Sequence, residues 1–339
     1  MTKTIIYTCP YVPAEWIAAH GLDPSRVIPE AAGSVFSLVG REGVCPYVRG
    51  FIAEVTKTKP SAAVVVTTVC DQMRRAFDII SRNCELPSFL MNAPNTWQNA
   101  AAQELYMDEL RRLGRFLIRQ GGKAPSNDAL ASIMLEYDVA RRSVLNEREH
   151  LSAREHSEKI AAFGRDGPSS SGALRDVSFV ERNTQYAMRN TRCVPLAIIG
   201  GPLMKHEFRI FDIVAESGGE IVLDATETGE RGMCAPLDVE GLREDPLGKL
   251  AEAYFGGIAD ASRRPDCELY DWFDQRLTER AVQGIIFHRY VWCDMWHAQL
   301  RRLKELTDLP VLDIDTAGDF QSEQNRTGGR IRGFLEMLQ

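Results

Sequence analysis

Long apolar runs are missing from this 339-residue chain: stretches such as residues 62–66 and 285–287 are far short of a membrane span. The first ten residues, Met1-Thr-Lys-Thr-Ile-Ile-Tyr-Thr-Cys-Pro10, carry a charge but no apolar stretch of signal-peptide length, so a cytoplasmic protein is expected. A basic surplus is missing as well. Forty Lys and Arg stand against 47 Asp and Glu, and the net charge of -7 favours neither nucleic acid nor an anionic membrane. No Gly-x4-Gly-Lys-[Ser/Thr] loop and no Gly-x-Gly-x-x-Gly occurs, which removes the common nucleotide-binding motifs. Closely spaced cysteines are absent too. Cys9, Cys45, Cys70, Cys84, Cys193, Cys234, Cys267 and Cys293 include no pair two or three residues apart. Zinc ribbons, thioredoxin-like pairs and ferredoxin-type runs are therefore excluded, and any metal site must be assembled from distant segments.

What is present suits a soluble α/β protein. The chain is 44% hydrophobic and 26% charged, enough for two domains that each bury a core. Residues 62–67 (Ala-Ala-Val-Val-Val-Thr) read as a buried strand, 70–81 as a helix and 86–91 as a strand opened by Pro87. That order implies a parallel sheet. A helix over 97–120 is stopped by Gly121-Gly122. Residues 127–163 are charged, lack strand-like runs and fit one long helix. A loop at 164–172 and a helix to about residue 189 complete a helical middle. Alternation then resumes: strand 194–199, Gly200-Gly201-Pro202, helix 206–217, strand 220–223, a loop at 226–231, two helices, strand 284–287, a helix after Cys293, strand 311–314 and a final helix over 321–338.

Two stretches correspond. Strand 62–67 leads to Cys70-Asp71, a helix with Arg74-Arg75, then Leu86-Pro87 and a strand. Strand 284–287 leads to Cys293-Asp294, a helix with Arg301-Arg302, then Leu309-Pro310 and a strand; Cys to Leu is 16 residues in both. The expected architecture is two Rossmann-like parallel-sheet lobes facing each other: residues 1–121 with Cys45 and Cys70, a helical connector over 122–190, and residues 191–339 with Cys293.

In parallel sheets, ligands bind outside the carboxyl ends of the strands. Cys70 and Cys293 each follow a strand and begin a helix, where the helix dipole favours a thiolate. They could aim two sulfurs at one ion or cluster. Cys45, in Gly43-Val-Cys-Pro-Tyr-Val-Arg49, could add a third. Cys84, Cys193 and Cys267 are read as small apolar fillers; Cys9 and Cys234 could line the cleft. Arg231 could meet an anionic group of a substrate. Gly200 and Gly201 could let backbone N–H groups approach a ligand, and His288 could move a proton.

At these residues the sequence resembles the 2-hydroxyacyl-CoA dehydratase D-component family, which includes benzoyl-CoA reductase subunits and double-cubane cluster proteins. The likeness is carried by Pro10-Tyr-Val-Pro-Ala-Glu15, the Cys45 segment, Val65-Val-Thr-Thr-Val-Cys-Asp71, Gly200-Gly201-Pro202, Thr228-Gly-Glu-Arg231, Gly284 through Cys293-Asp294, Leu309-Pro-Val-Leu-Asp313 and the tail from Arg326 to Leu338. The resemblance implies a [4Fe-4S] cluster on Cys45, Cys70 and Cys293, with a double-cubane [8Fe-9S] form as a variant. It implies a homologous second subunit or a homodimer, an acyl-CoA substrate, and a separate ATP-hydrolysing iron–sulfur activator that injects one electron. The implied reaction is radical elimination of water from a 2-hydroxyacyl thioester through a ketyl. The alternatives are a reductase of the same family or a non-catalytic electron-transfer partner. Where the family often has a cysteine before its Gly-x-Arg, this chain has Ala225-Thr-Glu-Thr-Gly-Glu-Arg231, a departure that bears on the substrate.

Overall fold

The computed structural model describes residues 2–32, 43–58, 62–172, 193–318 and 320–339. Two four-stranded parallel sheets organise it. The first contains β1 (Thr4–Tyr7), β2 (Asp23–Arg26), β3 (Ala63–Thr67) and β4 (Ser88–Met91), in the order β2-β1-β3-β4. The second contains β5 (Val194–Gly200), β6 (Gly219–Ala225), β7 (Gly284–Tyr290) and β8 (Val311–Thr316), in the order β6-β5-β7-β8. The two orders are the same, so the repeated Cys-Asp…Leu-Pro pattern marks equivalent places in two Rossmann-like lobes. In each sheet the order reverses between its first and third strands, which is where such folds open a crevice.

Burial explains the strand sequences. All five residues of β3 are buried. In β5 only Pro195, and in β7 only Arg289, is not fully buried. Helices on both faces of a parallel sheet demand such unbroken apolar runs. The β3–β4 register pairs Val64 with Ser88 and Thr67 with Met91; β7–β8 pairs Ile285 with Val311 and Tyr290 with Thr316.

Helix α1 (Ala14–Ala19) follows β1, and α2 (Pro46–Lys57) starts with Pro46 in its first turn, where a missing N–H costs nothing. Helix α3 (Asp71–Asn83) buries Met73, Ala76 and Ile80 at three- and four-residue spacing. Helix α4 (Ala100–Arg119) is capped by Asn99, whose side chain accepts from Ala102 N at 2.8 Å.

The long helix expected over 127–163 is broken in two. Helix α5 (Asn127–Asn146) ends in a 3-10 turn at Glu147–His150, and α6 (Ala153–Asp166) begins afresh at a capping box between Ser152 and Glu155. At the break the buried Arg148 guanidinium donates to the Ile221 carbonyl of β6 and pairs with Glu220 at 3.6 Å. Helix α6 runs three residues into the expected loop, and a 3-10 turn occupies Gly167–Gly172. The helix expected up to residue 189 lies outside the described residues. Helix α6 packs on both β2 and β6, and so touches both sheets.

In the second lobe α7 (Arg209–Glu216) follows a 3-10 turn at Lys205–Phe208. Helices α8 (Pro246–Ala251) and α9 (Cys267–Glu279) precede β7; α10 (Asp294–Leu306) follows it, and α11 (Phe320–Leu338) ends the chain. Apolar packing joins the lobes: in one cluster Val44, Cys45, Tyr47 and Met73 of the first pack with Met204, Tyr290 and Cys293 of the second. Among the described residues, no helix is long and apolar enough to cross a membrane.

Candidate functional site

The carboxyl ends of strands from both sheets open onto one cavity of about 300 Å3. Thr8 and Cys9 reach it after β1, Thr67 to Cys70 at and beyond the end of β3, Pro202 after β5, Glu227 after β6, and Tyr290, Trp292 and Cys293 at and beyond the end of β7. Cys45 completes the lining from a separate loop.

Cys45, Cys70 and Cys293 share one local design. Each is the residue immediately before a helix: Cys45 before α2, Cys70 before α3, Cys293 before α10. First-turn backbone N–H groups therefore face each sulfur: those of Tyr47 and Val48 at Cys45, Gln72 and Met73 at Cys70, and Trp296 at Cys293. The three sulfurs feel one another. A charge on Cys293 disfavours a charge on both Cys45 and Cys70. Gln72, on the first turn of α3, ties two of the segments together. Its Oε1 accepts from Cys45 N at 3.0 Å, and its Nε2 donates to Gly43 O at 3.2 Å. Arg75 also donates to Gly43 O, at 3.2 Å.

The helix starts do not by themselves make thiolates. Burial dominates, raising Cys70 to about 12 and Cys293 to about 11, and pushing Cys45 higher still. Desolvation of a charge outweighs the few N–H dipoles that favour it. Such thiols keep their protons until a positive metal centre compensates the charge, and metal loading then releases those protons. Among the described residues, no three His, Cys, Asp or Glu side chains are gathered closely enough for a single metal ion. Four cysteines, Cys9, Cys45, Cys70 and Cys293, line the cavity.

The other candidates divide. Cys9 is buried and lines the same cavity. Cys234 packs instead in the core with Tyr254, near Arg141. Cys84 and Cys193 are half-buried, whereas Cys267 is exposed on the first turn of α9 and fills no core.

Arg231 is not available to a substrate. Its guanidinium is buried and fully engaged: Nη1 meets Asp260 Oδ2 at 2.6 Å and Ala259 O at 2.9 Å, Nη2 donates to Gly200 O at 2.9 Å, and Nε to Ala225 O at 3.0 Å. It braces the ends of β5 and β6 rather than meeting a ligand. Gly200 and Gly201 likewise serve packing. A Cβ at Gly200 would lie 2.0 Å from His288 O of the neighbouring strand, and one at Gly201 would lie 3.1 Å from the Trp296 ring. Their backbone is crowded by the protein itself, so the ligand approach expected of them is taken by β7 and α10.

His288 is fully buried behind the cavity, and its Nε2 lies 3.0 Å from Glu207 Oε1. Glu207 also receives Tyr290 OH and Thr316 Oγ1, and the nearby imidazole leads the hydrogen-bonding groups that hold its carboxyl below the ordinary range despite burial. The cavity is lined two residues later, by Tyr290. His288 is therefore a structural partner of Glu207, not a cavity acid or base.

A partly buried carboxyl at the cavity is that of Glu227, in the same loop as Arg231. Its backbone N–H donates to Gly201 O at 3.3 Å, and its carbonyl accepts from Arg26 Nη2 at 3.0 Å. Arg26 Nη2 also lies 3.8 Å from Glu227 Oε1. Burial, then the negative charge of Asp260, raise the carboxyl to about 7 against the opposing pull of Arg26 and Arg231. Asp260 keeps its charge because Arg231 is in direct contact. The sequence signal was only a glutamate after a β-strand carboxyl end.

Trp292, next to Cys293, lines the cavity with a backbone φ of 66° and a side chain 55% exposed. A left-handed conformation is uncommon for a bulky residue and is found most often at functional sites. Arg74 and Arg264 line the cavity as well.

A family model described as 2-hydroxyglutaryl-CoA dehydratase, D-component, matches residues 9–338. No curated protein matches the chain.

Proposed function

Because the chain belongs to the 2-hydroxyglutaryl-CoA dehydratase D-component family, we propose that Cys45, Cys70 and Cys293 hold a [4Fe-4S] cluster in the shared cavity. The protein is then the iron–sulfur subunit of a 2-hydroxyacyl-CoA dehydratase-like enzyme. One observation carries the reading: three helix-start cysteines drawn from both lobes line one cavity. When bound, such a cluster supplies single electrons at low potential. An ATP-hydrolysing iron–sulfur activator is the proposed source of those electrons, and a homologous subunit or a second copy of this chain completes the enzyme.

The chain's own residues have three tasks. The first is ligation by sulfurs whose protons leave on loading. The second is exclusion of water: Val48, Val69, Met73, Met295 and Trp296 give the cavity apolar walls. The third is proton transfer. Eliminating water from a 2-hydroxyacyl thioester requires a proton for the departing hydroxyl and removal of one from the neighbouring carbon. Glu227 retains a proton close to neutral pH and reaches the cavity, so it can deliver one and recover one. Asp71 and Asp294 also line the cavity but are exposed at their helix starts.

The test is anaerobic purification with iron and sulfide counting, followed by assay with an activator and a panel of 2-hydroxyacyl-CoA thioesters. About four irons and four sulfides per chain, lost in Cys70→Ala and Cys293→Ala, are expected. Unchanged iron in both variants refutes the ligand set. Glu227→Gln should retain iron yet lower kcat by roughly 10^2- to 10^4-fold, the usual worth of a positioned acid–base group.

A further inference from the structure

Trp296 is 1% exposed and lines the cavity, yet its indole Nε1 has no hydrogen-bond partner among the described residues. A buried tryptophan N–H normally finds an acceptor, and leaving one unmade is costly. The ring is nevertheless held firmly. The Arg231 guanidinium carbon lies 4.8 Å from its ring centroid, so a fixed cation covers one face. Gly201 leaves room for its pyrrole edge: a Cβ there would come within 3.1 Å of Cδ1 and 3.2 Å of Nε1. The same residue's backbone N–H faces the sulfur of Cys293 one turn back. A buried donor on a ring that is fixed at the cavity wall, with no acceptor among the described residues, points to an acceptor brought by the occupant of the cavity.

We propose that the Trp296 indole N–H donates a hydrogen bond to a sulfur of the iron–sulfur group seated on Cys45, Cys70 and Cys293, and thereby raises its reduction potential. The inference rests on the cluster reading given above. A donor at sulfur favours the more negative, reduced state, and hydrogen bonds to the sulfurs are among the factors that set such potentials. Trp296 is thus a positioning and tuning residue. Arg231 and Gly201 act through it by fixing the plane of the ring.

The experiment uses the full chain, loaded anaerobically with iron and sulfide and free of substrate, in wild type and Trp296→Phe. Phenylalanine keeps an aromatic ring and removes the N–H. Iron and sulfide are counted first, and the midpoint is then measured by an EPR-monitored redox titration. The expected result is wild-type iron content with a more negative midpoint. At the wild-type midpoint the reduced-to-oxidised ratio should fall roughly tenfold, equivalent to about 59 mV for one electron. Full iron content with an unchanged midpoint overturns the proposal, and so does an unchanged midpoint with weakened acyl-CoA binding, which would assign the donor to the substrate. Should Trp296→Phe not fold, Gly201→Ala carries the test. It keeps the N–H but displaces the ring edge, and a midpoint identical to wild type overturns the proposal. Absence of iron and sulfide from the wild-type chain itself instead overturns the cluster reading on which the proposal rests.

Discussion

Replacing Glu227 by glutamine should make the iron-free protein more stable at alkaline pH and leave it nearly unchanged at acid pH. The folded carboxyl is raised from 4.5 to about 7, mainly by burial and then by the charge of Asp260. A carboxyl raised on folding stabilises the folded state fully below its unfolded value, and that contribution disappears as pH climbs through the folded value. The window is therefore from about pH 4.5 to somewhat above pH 7. The interval between the two values, at about 1.4 kcal/mol per pH unit, amounts to about 3 kcal/mol. Glutamine carries no charge at any pH and escapes this cost. Urea denaturation of the iron-free chain, wild type and Glu227→Gln, at several pH values from 5 to 8.5 measures the effect. The advantage of the variant should grow with pH and approach about 3 kcal/mol at the alkaline end. A difference that stays flat across the range would refute the argument, because it would mean that Glu227 ionises in the folded protein as easily as in the unfolded one.

Arg231→Met should cost about 3–5 kcal/mol, since it strands the buried Asp260 carboxylate and three backbone carbonyls; adding Asp260→Asn should restore part of that in thermal unfolding. Loading the apo-protein with iron and sulfide in weak buffer should release protons, because Cys70 and Cys293 sit at about 12 and about 11 in its absence; loading with no proton release would contradict those values. Gln72→Ala should lower iron retention during dialysis without unfolding the chain, because the bond that holds the Cys45 loop against α3 is lost. Air should bleach the loaded protein, and an absorption that persists in air would count against the cluster.

Much of the scaffold was legible because it follows from local rules. The short apolar, β-branched runs at 62–67 and 284–287 suit buried parallel strands, and the equal Cys-to-Leu spacing exposed the repeat of the two lobes. The end of α4 before Gly121-Gly122 was legible too, although its start was expected at residue 97 and lies at Ala100. The break between α5 and α6 was not, because an inward-turned Arg148 looks like any charged residue on a helical stretch until the β6 carbonyl it serves is in view.

For the site, the sequence by itself determined which cysteines stand at helix starts, since strand, cysteine, aspartate and helix follow one another along the chain. Only the tertiary structure decided what meets what. It brought Cys45, 25 residues before Cys70, onto the same cavity through Gln72. It withdrew Arg231 into an ion pair with Asp260 and His288 into a hydrogen bond with Glu207, and it left Glu227 as a partly buried carboxyl at the cavity. The physical reason is that charge and proton affinity depend on burial and on the nearest opposite charge. Those are properties of residues far apart in the chain, and local pattern carries no record of them.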